Sequence, residues 1–392
     1  MIPITKTVFD ETDLSLIQEP LKSGWVVQGK YVKQFEEMFS EFIHTPYSIA
    51  TTSCTTSLHI AMASLGIKPG DEVLVPAFTW VATANCVEYM GATPIFVDID
   101  LETFNIDLNK IEEKITPKTK GIIPVHLFGL LCPMDKINKI AKKYNLFVVE
   151  DAACAFDSWY KGKHAGTWGD MGCFSFHPRK AITTGEGGMI TTGEKGYADI
   201  CQSLRDHGAT KTDFERHEQK YSFLLAQYPY LGYNYRMTDI QGALGVSQMQ
   251  KAKKIMDGRR KGASEYNDRL KNISWLKIPY ANEDYVHGYQ SYVCLFQPQK
   301  PSFENVAKLT QMRNDIMASL EEKGIITRQG THAAALVGYY RNKYGIKFNH
   351  YPNAYLAESL TITLPLYYGI TSDEIDTVIK EISSSFNKRY KN

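Results

Sequence analysis

The chain of 392 residues has little of what marks membrane-bound, secreted or nucleic-acid-binding proteins. No uncharged apolar run approaches the roughly 20 residues that a membrane-spanning helix needs. The opening stretch MIPITKTVFDETD lacks a basic segment followed by an apolar one, so we expect no signal peptide and a cytoplasmic location. The formal net charge is only +1, which provides no strong field to attract nucleic acid or anionic lipid.

Cysteine is scarce and unpatterned. There are seven, an odd number, with no CxxC pair and no Cys/His spacing typical of a metal site. Most of them lie among apolar neighbours, so we expect reduced thiols in the core and no metal. These cysteines are Cys54, Cys86, Cys132, Cys154, Cys173, Cys201 and Cys294.

Length and periodicity predict an α/β protein of two domains, because one hydrophobic core seldom grows to this size. In the first 200 residues or so, short β-branched runs alternate with helical patterns. This alternation is typical of a mostly parallel sheet with helices on both faces. Six strands are predicted: Asp71–Phe78, Thr93–Ile99, Gly121–Leu127, Leu146–Ala152, Cys173–Phe176 and Gly187–Thr192.

The pattern of apolar and polar residues changes near Asp239. A helical pattern over Thr238–Leu270 is too long for an ordinary single helix, so we expect it to bend near a domain boundary. A strand and two helices are predicted after it: Tyr292–Gln299, Val306–Gly324 and Ser372–Phe386. We therefore predict a large domain of residues 1–250 and a smaller α+β domain of residues 251–392. The irregular, aromatic segment Phe214–Tyr230 is either a loop near the site or a packing element.

Lys180 raises a chemical question, because it follows a buried strand and precedes a glycine-rich turn in SFHPRKAITTGEGGMI. Burying an ammonium group costs several kcal/mol unless it is paired or neutralised. One solution is a Schiff base between the amine and an aldehyde cofactor. Such a cofactor needs a carboxylate against its pyridine nitrogen, and Asp151 stands at the end of a predicted strand.

A phosphate site is the third element of this hypothesis. Ser53–Thr56 opens the predicted helix Thr56–Gly66, and helix N-termini bind anions through free N–H groups and the dipole. A plain N-cap explains Ser53 or Thr55 as well. The order of helix N-terminus, aspartate and lysine along an α/β pattern is more specific than any one of them.

Several long stretches resemble the DegT/StrS family of pyridoxal-phosphate-dependent sugar aminotransferases, which have fold type I. The resemblance covers nearly the whole chain and implies a doubly wound, mostly parallel seven-stranded sheet with a smaller C-terminal α+β domain. The matching stretches are GWVVQGKYVKQFE, GIKPGDEVLVPAFTWVATAN, GATPIFVDID, ITPKTKGIIPVHLFG, VVEDAACAFDSWYKGKHAGTWGD, FSFHPRKAITTGEGG and GYNYRMTDIQGALG.

The resemblance implies roles for residues around the cofactor ring. Lys180 matches the lysine that forms the Schiff base with pyridoxal 5'-phosphate, and Asp151 matches the partner of the pyridine nitrogen. Trp80 matches the aromatic residue that stacks on the ring, although a core tryptophan is the plainer interpretation. Cys154 stands near the ring hydroxyl, where relatives often carry Gln or His.

The resemblance also implies a phosphate site shared between subunits. Ser175 matches the serine that binds the phosphate, together with the backbone of Cys54 and Thr55. Relatives commonly read Ser-Gly-Thr where this chain has Ser53-Cys54-Thr55. Asn234 matches an asparagine that reaches the phosphate from a second subunit, which implies a homodimer with shared active sites.

The implied reaction moves an amino group from L-glutamate to a nucleotide-linked keto sugar, in amino-sugar or surface-polysaccharide biosynthesis. The TTGEGG turn resembles members that aminate C-4 of 4-keto-6-deoxy sugars more than the LGALGDGG type usual at C-3. His177, Arg236, Arg328 and His332 are candidate contacts to the nucleotide, the sugar or the glutamate carboxylate, and a structural role stays equally open for each. A 3-keto sugar aminotransferase, another reaction on this cofactor such as dehydration, and a non-catalytic regulator are the alternatives.

Overall fold

A seven-stranded sheet forms the centre of the computed structural model, which describes residues 1–212, 214, 217 and 225–390. The strands of the described chain are β1 (Tyr47–Thr51), β2 (Glu72–Pro76), β3 (Thr93–Val97), β4 (Thr119–Ile122), β5 (Phe147–Asp151), β6 (Trp159–Tyr160), β7 (Lys163–His164), β8 (Met171–Ser175), β9 (Gly188–Thr192), β10 (Leu276–Lys277), β11 (Tyr285–Val286), β12 (Tyr292–Phe296) and β13 (Thr361–Leu364). The large sheet has the order β1-β9-β8-β5-β4-β2-β3. Only β9 runs against the others, pairing antiparallel with β1 and β8.

Helices cover both faces of this sheet, and the strands are buried almost throughout, as continuous apolar runs require. Within the described residues the α-helices are Glu11–Ser23, Lys30–Ile43, Cys54–Ser64, Ala82–Tyr89, Met134–Tyr144, Lys195–Arg205, Asp239–Gln250, Ala252–Leu270, Val306–Glu322, Gly338–Tyr344, Pro352–Leu360 and Ser372–Tyr390. Short 3₁₀ turns cover Leu108–Lys110, Glu112–Lys114, Leu127–Gly129, Ala334–Leu336 and Phe348–His350.

The predicted α/β architecture is confirmed, with differences at strand ends. All six predicted strands are present in the large sheet. The third ends at Ile122 instead of Leu127, because Pro124 has no N–H for a ladder bond. The prediction missed β1, a five-residue strand whose sequence YSIAT is too short to show a period.

The C-terminal region has its own sheet and core. Strands β10, β12 and β13 form an antiparallel sheet that packs with the helices Ala252–Leu270, Val306–Glu322 and Ser372–Tyr390. Aromatic side chains fill this core, including Tyr266, Tyr292 and Phe296. The mixture of strands and helices is the α+β arrangement expected from the sequence.

The long helical pattern is interrupted as expected. It forms two helices, Asp239–Gln250 and Ala252–Leu270, and Lys251 between them has φ −113°. The Lys251 ammonium binds the carboxylates of Asp10 and Asp13, which ties the break to the first helix. The division of the chain at residues 250 and 251 stays a prediction, since residues 2–4 bond to 324, 326 and 366.

The segment predicted as irregular over Phe214–Tyr230 lies mostly outside the described residues. Of its described part, Phe214 contacts the ring of Trp25 with ring centroids 5.9 Å apart, and the side chains of Tyr228 and Tyr230 are exposed. None of the helices in the described ranges is long and apolar enough to cross a bilayer.

Candidate active site

One edge of the large sheet gathers the residues predicted to carry chemistry. Asp151 is the last residue of β5 and Ser175 the last of β8. The segment leading to Trp80 follows β2, which runs parallel to both through its neighbours. Parallel strands bring their carboxyl ends to the same edge, where ligands of such sheets bind. The edge therefore forms the floor of the candidate site.

Asp151 is a buried carboxylate with two protein donors. Its side chain is only 5% exposed. The Thr83 hydroxyl donates to Oδ2 at 2.7 Å, and the N–H of Ala153 donates to Oδ1 at 3.2 Å. Burial raises the pKa of Asp151 above its ordinary value, against the opposing effect of these two bonds. Each carboxylate oxygen accepts two bonds, so Asp151 keeps room for a further donor.

Lys180 lies on the loop after β8, near enough to Asp151 to be influenced by its charge. Its Nζ is 3.2 Å from the sulfur of Cys154. Burial opposes the charged amine, but Cys154, Cys54 and Asp151 favour it, and the pKa of Lys180 is raised overall. The half-buried Lys180 and the buried Asp151 therefore lie near each other, as the sequence hypothesis requires.

The loop that carries Lys180 is held at three points. The N–H of Lys180 donates to the carbonyl of His177 at 2.8 Å, closing a turn. The Gln290 amide donates to the carbonyl of Arg179 at 2.6 Å, and the Thr7 hydroxyl donates to Pro178 at 2.9 Å. Two segments distant in sequence therefore fix the backbone around the lysine.

The helix Cys54–Ser64 begins beside this loop with a capping box between Ser53 and Thr56. Within the described chain, the N–H groups of Cys54 and Thr55 have no hydrogen-bond acceptor. Gly188 of β9 lies so close that a Cβ there would stand 2.4 Å from the carbonyl oxygen of Ser53. Burial, followed by the charge of Asp151, raises the pKa of the Cys54 thiol well above its usual range.

The other predicted phosphate ligands are placed differently. Ser175 is half-buried, and its Oγ accepts from the N–H of His177 at 3.5 Å. Asn234 is exposed, in an extended segment paired with Asp206. Its neighbours Tyr233 and Tyr235 stack on each other and pack against His59. Since successive residues of an extended chain face opposite sides, Asn234 faces away from His59.

Trp80 is an exposed aromatic residue at the site. Its side chain is 59% exposed, and its ring centroid lies 5.7 Å from that of His332. The N–H of Thr79 donates to the carbonyl of His332 at 3.0 Å. The interpretation of Trp80 as a core tryptophan is wrong, because the indole is open to solvent.

The four predicted substrate contacts have different surroundings. His177 Nε2 lies 4.0 Å from Glu186, and His332 Nδ1 lies 3.6 Å from Glu358. Burial lowers the pKa of His177. Arg236 binds Asp206 at 2.5 Å, and exposed Arg328 pairs through its backbone with Thr363 of β13. The structure thus brings His177 to the lysine loop and His332 to Trp80, whereas Arg236 is held in an ion pair and Arg328 lies beside β13.

Three other polar residues around the sheet edge have structural partners: Asn85 in the helix Ala82–Tyr89, His126 after β4 and Asp98 just after β3. Asn85 accepts a bond from the Tyr340 hydroxyl at 2.5 Å. His126 bonds to Glu150 at 2.8 Å through Nε2. Asp98 accepts from the backbone of Asn353 and Ala354, at the start of the helix Pro352–Leu360.

Sequence reasoning missed Thr83, the donor to Asp151. It stands three residues after Trp80, in the first turn of the helix Ala82–Tyr89. This spacing places Trp80 and Thr83 near the same helix end, and it was the only feature of the sequence that could have indicated Thr83. The link to Asp151, 68 residues away, exists only in the folded chain.

The profile of the DegT/DnrJ/EryC1/StrS aminotransferase family matches residues 8–383. The chain belongs to this family. It is 34% identical to GDP-perosamine synthase of Escherichia coli O157:H7 over 392 residues, 99% of each chain.

Solved structures of family members have the same fold. Spr1654 of Streptococcus pneumoniae in its PLP-form is 28% identical with a TM-score of 0.89, covering 99% of each chain. Helicobacter pylori PseC, an aminotransferase involved in the biosynthesis of pseudoaminic acid, is 25% identical with a TM-score of 0.88, again over 99% of each chain. The protein is a sugar aminotransferase of amino-sugar biosynthesis, its cofactor is pyridoxal phosphate, and its substrates are an amino donor and a sugar.

The residues at the sheet edge fit this cofactor. A pyridoxal phosphate needs an amine for its aldehyde, an anion for its ring nitrogen, and donors for its phosphate. Lys180 would supply the amine, and Asp151 would supply a buried carboxylate with spare acceptor capacity. The unbonded N–H groups of Cys54 and Thr55 are suited to an anion.

Proposed function

We propose that this protein transfers the amino group of L-glutamate to a nucleotide-linked 4-keto-6-deoxy sugar. One observation carries the chemistry: the half-buried Lys180 amine lies close enough to the buried Asp151 carboxylate, at the carboxyl edge of the large sheet, to be influenced by its charge. The TTGEGG turn supports amination at C-4. The relative named GDP-perosamine synthase supports a nucleotide-linked sugar.

Each residue has a defined task in this proposal. Lys180 would hold the cofactor covalently, and its Nζ would move the proton from Cα of the amino donor. When bound, the cofactor would supply an electron sink for the electron pair left at that carbon. Asp151 would keep a proton on the ring nitrogen, and a carboxylate about 4 Å from a cation contributes on the order of 4 kcal/mol at an effective dielectric of 20. Trp80 would cover the ring.

The phosphate is held by Ser175 and by the backbone N–H groups of Cys54 and Thr55. Asn234 completes this site in a second subunit, so the functional unit is a homodimer. Its exposed side chain, which faces away from the chain's own His59, supports that assignment. Cys154, whose sulfur contacts the Lys180 amine, would lie near the ring hydroxyl.

Substrate contacts are proposed for His177 and His332, which lie beside the lysine loop and Trp80. Both carry exposed imidazole edges that suit a sugar hydroxyl or a phosphate. Arg236 and Arg328 remain candidates for the nucleotide or for the glutamate carboxylate.

The deciding experiment offers glutamate with a panel of nucleotide-linked 3-keto and 4-keto sugars, and measures 2-oxoglutarate and the amino sugar. We expect turnover with a 4-keto-6-deoxy sugar. Turnover only with a 3-keto sugar would move the reaction to C-3. Loss of water from the sugar without 2-oxoglutarate would identify a dehydratase, and no reaction with any sugar would favour a regulator.

Substitution of the lysine tests the site independently of the sugar. Lys180→Ala should keep the fold, lose transamination and leave no lysine to be labelled when the cofactor is fixed with borohydride. Lys195→Ala, at an exposed lysine paired with Asp199, is the matched control and should behave like the native protein. Labelling of another lysine in the native protein would contradict the assignment.

A further inference from the structure

We propose that Thr83 is a positioning residue that keeps the Asp151 carboxylate ionised and correctly turned, with Thr79 behind it as the second member of a hydroxyl relay. The inference rests on the proposed role of Asp151 at the cofactor ring. It adds two residues to the site that the reaction chemistry does not otherwise use.

The two hydrogen bonds of this relay can be donated in only one direction. Thr83 Oγ1 lies 2.7 Å from Asp151 Oδ2, and Thr79 Oγ1 lies 3.0 Å from Thr83 Oγ1. A hydroxyl has one hydrogen to donate, and the carboxylate can only accept. Thr83 therefore donates to Asp151 and accepts from Thr79. Both threonine side chains are fully buried, at 0% and 1% exposure, so water does not compete for these bonds.

The relay opposes the effect of burial. Burial favours the neutral acid at Asp151, and a neutral acid cannot hold a proton on the ring nitrogen of the cofactor. A donated hydrogen bond favours the charged form, and in a dry site it does so strongly. Apart from Ala153, Thr83 is the donor within the described chain that reaches this carboxylate.

The same turn links the ring nitrogen partner to the ring face. Trp80 lies between Thr79 and Thr83, and the N–H of Thr83 donates to the carbonyl of Trp80 at 3.2 Å. The N–H of Thr79 is held by the carbonyl of His332. One short segment therefore places both the indole and the donor to Asp151.

The test measures the ionisation of Asp151 without the cofactor. The free energy of unfolding of the apo-protein is measured against pH in each variant. The same measurement is made in that variant with Asp151→Asn added. The difference between the two free energies gives the contribution of the Asp151 carboxylate at each pH. We expect Thr83→Val to lower the acid dissociation constant of Asp151 in the folded protein about tenfold, so the pKa of Asp151 rises. Thr83→Ser keeps the hydroxyl and should restore the native value. Thr79→Val should change it less.

The loaded enzyme gives a second readout. Thr83→Val should move the acid limb of the kcat profile to a higher pH, by about the same tenfold factor in proton concentration, with the KM for the sugar unchanged. An unchanged Asp151 titration in Thr83→Val, or a change of equal size in Thr83→Ser, overturns the relay. A native protein that neither binds the cofactor at Lys180 nor transaminates would instead overturn the proposed function, and the apo titration would still report on the relay.

Discussion

Glu150 and Asp151 are neighbours on β5, and both side chains are buried, yet their surroundings differ. Glu150 accepts from the backbone N–H groups of Gly166, Trp168 and Gly169 at 2.7–2.8 Å, and from His126 at 2.8 Å. The Asp151 carboxylate accepts only from Thr83 and Ala153 within the described residues.

The difference lies in the acceptor capacity that remains. Two carboxylate oxygens take about four hydrogen bonds, so Glu150 is saturated while Asp151 is half filled. The N–H of Cys132 donates to His126 Nδ1, so Nε2 of that ring carries the hydrogen given to Glu150. A saturated buried carboxylate organises the loop around it. An unsaturated one at the edge of a sheet is prepared for a ligand.

The largest expected effect concerns catalysis at Asp151. Asp151→Asn should lower turnover by several powers of ten while the protein stays folded, because the amide cannot hold a positive ring nitrogen; each decade corresponds to about 1.4 kcal/mol. Single-turnover kinetics and circular dichroism measure the two quantities. Near-native turnover in Asp151→Asn would contradict both the proposed role of Asp151 and its contrast with Glu150.

The next effect concerns folding at Glu150. Glu150→Gln places an amide among three backbone N–H donors, so the free energy of unfolding should fall by about 3 kcal/mol or more. Denaturant unfolding of the apo-protein measures it, with Glu37→Gln on the exposed side of a helix as control. A variant as stable as the control would show that Glu150 does not organise the loop over residues 166–169.

The smallest expected effect is a gain in the stability of the apo-protein when Asp151 is replaced. Its native pKa is raised above the ordinary 3.8, so the folded apo-protein binds the proton more tightly than the unfolded chain does. Stability is then lost as the pH rises from about 3.8 to the native pKa. Apo Asp151→Asn should lack this loss and be more stable than the native apo-protein at pH 7, by about 1.4 kcal/mol for every tenfold difference in proton affinity between the folded and unfolded chains. Equal stability at pH 7 would contradict the raised pKa.

The chemistry of the site was predictable where it depends on residue type and order. The strand–helix alternation indicated the sheet, and the glycine-rich turn drew attention to Lys180. Asp151 was found because it ends a strand. Trp80 was left open between two interpretations, since exposure is a property of the packed molecule.

Other features depend on distant partners and could not be predicted. Cys154 contacts Lys180 across 26 residues, and Gln290 bonds to the carbonyl of Arg179 across 111. Asp98 and His126 stand near the ends of predicted strands as Asp151 does, yet they bond to the helix Pro352–Leu360 and to Glu150. Position at a strand end was therefore not enough to distinguish a ligand from a structural group.

The sequence by itself determined the strand pattern and the family, and it predicted the pairing of Lys180 with Asp151, because apolar periodicity and local motifs depend on neighbouring residues. Tertiary structure alone decided which of two adjacent carboxylates is saturated, since their donors come from loops far away in the chain. Asp151 differs from Glu150 because its carboxylate oxygens can still accept hydrogen bonds in the folded protein.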